Sequence, residues 1–108
     1  MENNKTNGYI SAVVDNTKFD NVVNMTKLNS MKYVSKGDSL RKSGQYKESL
    51  SCYLRSLMME RNNSASYLGL GMSYKFLNDY DKAIKNFEKS AEIDAKNYEI
   101  YYEMGISY

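Results

Sequence analysis

Few residues in this chain suit chemistry, and they are badly spaced for it. Cys52 is the only thiol among 108 residues, and a thiol needs a partner that lowers its pKa or takes its proton. The sequence has no histidine, which removes the commonest general base and the commonest metal ligand together. Asp79 with Asp81, and Glu92 with Asp94, are carboxylate pairs two positions apart. Residues at that spacing do not share a helix face, so these read as capping and solvated charges. Gly69-Leu70-Gly71 makes no phosphate loop, because the residues before it carry a helical pattern rather than a strand pattern. A lone cysteine also excludes an intrachain disulfide framework and a multi-cysteine metal site. The expectation is a non-catalytic chain with no cofactor.

The bulk properties narrow the partners. Net charge is +2, with 42% hydrophobic and 26% charged residues, which suits one packed domain and gives no electrostatic case for nucleic acid or an acidic membrane. The densest basic group, Lys32, Lys36, Arg41, Lys42 and Lys47, is interrupted by Asp38 and Glu48. No run approaches a membrane span, and the first residues lack a basic segment followed by an apolar one, so no secretory signal is read. A cytoplasmic location is expected by default.

What remains are the elements that would position a binding surface. Tyr67, Leu70, Gly71, Tyr74 and Leu77 fall on one helical stripe, and Tyr80, Ala83, Ile84, Phe87 and Ala91 on a second. Between them, Asn78 tolerates a left-handed backbone and Asp79 offers a capping oxygen. Neither stripe is long enough to hold a helix alone in water, so each helix needs the other.

The same pattern recurs at an offset of 34 residues. Tyr33, Tyr67 and Tyr101 align, as do Gly37, Gly71 and Gly105, and Ser39, Ser73 and Ser107. Tyr46 aligns with Tyr80, Leu50 with Ile84, Tyr53 with Phe87, and Ser56 with Ser90. Tyr67-Leu70-Gly71-Tyr74 followed by Ala83 and Phe87 resembles the tetratricopeptide repeat, W-x2-L-G-x2-Y then A-x3-F. The upstream copy departs from it at Lys36, Leu40 and Ser49, and Arg61 and Ala95 stand where the family places proline. The resemblance implies an all-α, right-handed helix-turn-helix solenoid of two full repeats, 30–63 and 64–97, plus a half repeat over 98–108.

Several local expectations follow. Asn29-Ser30 should cap a helix from Met31 to Lys42 ended by Gly44, and the next helix should run from Tyr46 to Glu60. Ser64 and Asn97 are the expected caps of later helices. The repeat glycines should lie where the two helices of a repeat approach closely, with Ser49, Ala83, Ser56 and Ser90 as the opposing small positions. Several of the eleven tyrosines fill core slots of the repeat. Residues 1–29 are expected to be a mostly flexible arm with a short helix near 19–28.

The resemblance also implies a site. First helices of successive repeats line a concave groove, and the faces turned away from the packed stripe carry Val34, Asp38 and Arg41, then Leu68, Met72, Lys75 and Phe76, then Tyr102, Glu103 and Ile106. Such a mixture suits a peptide or helix of a protein partner with apolar anchors. Relatives that clamp the terminal carboxylate of a chaperone tail place a Lys and two Asn where this chain has Val34, Asp38 and Gly69, so that clamp is not expected here. The second expectation is self-association as a homodimer through Ile100, Tyr101, Met104 and Tyr108, the stripe of the half repeat. A third is a regulatory part of a longer enzyme or signalling chain.

Overall fold

The computed structural model describes residues 24–107, with side chains up to residue 105. Five helices and no strand lie among them: α1 over 24–42, α2 Tyr46–Met59, α3 Ser64–Phe76, α4 Tyr80–Ile93 and α5 Tyr98–Ser107. α3 packs against both α2 and α4, and α5 packs chiefly against α4. The order is that of an all-α solenoid of helical pairs, and no helix among the described residues is long and apolar enough to cross a membrane.

The connections follow from single residues. Gly44 has φ +85° and Asn78 has φ 66°, the left-handed turns expected after α1 and α3. The Asp79 carboxylate accepts from the Lys82 amide at 3.3 Å and starts α4. Asn97 accepts from the Glu99 amide at 3.0 Å and starts α5. At α3 the cap is Asn63, which accepts from the Ser66 amide at 3.1 Å. Ser64 is already helical there, and its hydroxyl turns to Ser90 at 2.9 Å instead.

α1 differs from its expectation. It runs unbroken through Asn29-Ser30, so no cap forms there. Ser30 is fully buried and donates to the Ser56 carbonyl at 3.2 Å. Ser64 donates to the Ser90 carbonyl at the same distance. Ser30 and Ser64 are 34 positions apart, like Ser56 and Ser90, so the same hydroxyl clasp closes each repeat. Of the short helix expected near 19–28, residues 24–28 belong to α1 and the rest lie outside the described residues, as do residues 1–18 of the arm.

Two rings hold the pairs together. Tyr53 of α2 and Phe87 of α4 are both fully buried. A Cβ at Gly37 would fall 2.8 Å from the Tyr53 ring, and a Cβ at Gly71 would clash with the Phe87 ring. These glycines thus face an aromatic ring of the second helix. The rings, not the expected small residues, are what these glycines meet; Ser49 and Ala83, each four residues before its ring, are buried, and the Ser49 hydroxyl meets that of Ser73 at 2.7 Å. A Cβ at Gly69 would also strike Tyr53, so this ring is clasped between α1 and α3. Ala83, Phe87 and Ile100 form the core toward the C-terminal end, with Leu68, Met72, Tyr74, Ala91 and Met104 packed around them.

Candidate functional site

α1, α3 and the turn between α4 and α5 enclose a groove of about 520 Å³. Leu68 and Met72 form its apolar part, one turn apart on α3. Asp38, Arg41 and Lys42 make the α1 wall, and Asp94, Asn97 and Glu99 make the opposite one. Four of the ten expected groove residues therefore meet in one place: Asp38, Arg41, Leu68 and Met72.

The α1 wall is locked from beneath. Tyr53 Oη donates to Asp38 Oδ1, and Arg41 donates to both partners, Nε to Tyr53 Oη at 3.1 Å and Nη2 to Asp38 Oδ1 at 3.4 Å. Burial pushes the Tyr53 phenol above its ordinary pKa, and the hydrogen bond it donates to Asp38 pushes the same way, opposed in part by Arg41. The Arg41 side chain is 14% exposed and that of Asp38 39%. The guanidinium is thus drawn inward while the carboxylate keeps the larger share of solvent.

The other expected residues are placed elsewhere. Val34 is half-buried and does not line the groove. Lys75 pairs with Glu103, and both are largely buried. Phe76 stacks on Tyr46 of α2, with ring centroids 4.9 Å apart and planes within 4°, which takes it to the α2 side. Tyr102 is exposed but lines no part of the groove, and the Ile106 side chain lies outside the described residues.

Of the self-association stripe, Ile100 is fully buried against Ala83 and Phe87, so it is not offered to a second molecule. Tyr101 is 45% exposed. It borders a shallow depression of about 560 Å³ with Met104, Ala91, Glu88 and Glu92. Tyr108 lies outside the described residues. Cys52 is buried beside Tyr33, Lys36 and Arg55. Among the described residues no cluster of acids, cysteines or histidines is placed to hold a metal ion.

Sequence reasoning missed the second groove wall. Asp94, Asn97 and Glu99 sit around a turn, where no helical stripe marks the direction of a side chain. The repeat offset alone could have found it, since the 94–99 turn follows the second repeat as the 60–65 turn follows the first.

The tetratricopeptide repeat profile matches residues 33–63 and 64–97, more than half of the chain, and the protein belongs to the tetratricopeptide repeat family. No curated protein sequence matches it. Among solved structures it is similar to the second tetratricopeptide domain of Spaghetti (RPAP3) bound to the HSP90 peptide SRMEEVD, with a TM-score of 0.73 at 19% identity over 77% of each chain. It is also similar to the second such domain of human RPAP3 in complex with the HSP70 peptide SGPTIEEVD, with a TM-score of 0.68 at 19% identity over 79% of this chain and 68% of that one. At such identity the likeness is one of fold.

Proposed function

We propose that this chain is a non-catalytic protein-interaction module whose groove between α1, α3 and the α4–α5 turn takes a segment of a partner protein. The observation that carries this reading is the convergence of Leu68 and Met72 with the Asp38–Arg41–Tyr53 network around one groove. Two apolar side chains one helical turn apart offer an anchor, and polar groups on both sides, those of the α1 wall held in a network, offer direction. Peptide complexes of the similar RPAP3 domains support a groove of this kind in this fold.

The ligand differs in charge from those two peptides, both of which end in Glu-Glu-Val-Asp. Arg41 is committed to Asp38 and Tyr53, so it offers little to an incoming carboxylate. With Asp38 and Arg41 paired to each other, Asp94 and Glu99 outnumber the remaining cation, Lys42, around the groove. An acidic tail would meet repulsion there, whereas an apolar segment flanked by Lys or Arg would meet attraction. Peptide-display selection against the full chain tests this. Enriched peptides should carry an apolar residue beside a basic one, and their binding should weaken as salt rises. Enrichment of acidic C-terminal peptides, or of none, would refute the proposal.

A further inference from the structure

A second cleft, of about 330 Å³, lies on the α1–α2 seam and shares no lining residue with the groove. Tyr33 and Lys36, one turn apart on α1, meet Ser51 and Arg55, one turn apart on α2, over the buried Cys52. Arg55 is held in place there. Its Nη1 donates to Tyr33 Oη at 3.3 Å, and its guanidinium carbon lies 5.7 Å from the Tyr33 ring centroid. Because Tyr33 Oη accepts that bond, its own proton is left free to donate. Lys36 and Ser51 have no side-chain partner among the described residues, and no ion pair there uses Lys36 or Arg55. Lys36, Ser51 and Arg55 are all exposed. Asp38, the acid nearest to Lys36 in sequence, turns instead to Arg41 and Tyr53 in the groove wall. The cleft is therefore lined by hydrogen-bond donors, two of them cationic, and by no carboxylate.

We infer that this cleft is an anion-binding site, and that its ligand is a phosphoryl group carried on a larger molecule. A phosphoryl dianion presents three acceptor oxygens and about two negative charges, which two cations and two hydroxyls can satisfy together. Arg55 supplies a planar fork suited to such oxygens, and Lys36 a compact charge on a flexible stem. A cleft of this volume also has room for the group that carries the phosphate. A phosphorylated side chain of a protein and a small phosphate ester share this chemistry.

The full isotope-labelled chain is titrated with O-phosphoserine, then with a short peptide containing phosphoserine, and followed by amide chemical shifts. The same peptide without phosphate is the control. The expected result is a saturable set of shifts centred on Tyr33, Lys36, Ser51 and Arg55, absent with the control. Tighter binding of the phosphopeptide assigns the site to a phosphorylated protein, and equal or weaker binding assigns it to a small phosphate ester. Lys36→Gln and Arg55→Gln, both at exposed positions, should each weaken binding by about tenfold. Arg55→Lys should recover only part of that loss, because the charge returns without the fork. Met72→Glu in the groove should leave binding unchanged, which separates this site from the groove reading. Shifts that never saturate, or that spread over all the lysines, would mean an adventitious ion only and would overturn the inference. So would saturable binding that survives both glutamine substitutions, or equal binding of the unphosphorylated peptide.

Discussion

At the scale of single residues, Tyr53 joins the packing to the groove. Its ring lies between Gly37 and Gly69, and its hydroxyl fixes Asp38 and Arg41 in the groove wall. Tyr53→Phe keeps the ring and removes the hydroxyl, leaving two partners short of a bond. Urea denaturation should show a loss of about 2 kcal/mol. The same residue sets an alkaline limit. Its folded-state pKa is raised, so the unfolded chain releases the phenolic proton first. Stability should therefore hold below the ordinary tyrosine value of about 10 and fall as pH rises beyond it. Urea midpoints measured from pH 8 to 11 should decline less steeply in Tyr53→Phe. The glycines give a contrast in sign. Gly71→Ala drives a methyl into Phe87 and should cost about 1–3 kcal/mol. Gly105→Ala meets open space and should stabilise α5 by up to about 1 kcal/mol.

At the scale of elements, turns and caps decide where each helix starts. Asn63 caps α3 and also donates to Ser30 Oγ at 3.2 Å and to Glu60 at 3.1 Å. Asn63→Ala should cost about 1–2 kcal/mol, read as a lower thermal midpoint with faster amide exchange at Ser66. Much at this scale was legible in the sequence. Gly44, Asn78 and Asp79 act as their side chains and backbone preferences require, and the repeat glycines do lie where two helices approach, though an aromatic ring rather than a small residue stands opposite Gly37 and Gly71. The rest depended on neighbours. Ser30 has the composition of a cap, yet the carbonyl of Ser56 recruits it into the interior of α1. Gly69 falls outside the repeat register, and only the tilt of Tyr53 toward Asp38 shows why it is small. Ile100 gave an exposed stripe on paper because the core side of α4 was not yet placed beside it. Phe76 and Lys75 were assigned to the groove by helical phase alone, but Tyr46 and Glu103 draw them away.

At the scale of the whole molecule, stability falls off toward α5. α3 is packed on both sides by α2 and α4, whereas α5 rests chiefly on α4. In an array held by nearest-neighbour contacts, the least-covered helix opens first. Hydrogen exchange should accordingly be faster across α5 than across α3 and α4, and equal protection would show that α5 is covered in solution. The groove is the central claim, and one ratio tests it most directly. The affinity of a display-selected peptide is measured by fluorescence anisotropy for the wild-type chain and for Met72→Glu, with helical content and thermal midpoint followed by circular dichroism. The prediction is a Kd at least tenfold weaker for the variant, a loss of about 1.4 kcal/mol or more, with the helices intact. An unchanged Kd in a folded variant would contradict the account and place the bound segment elsewhere on the molecule.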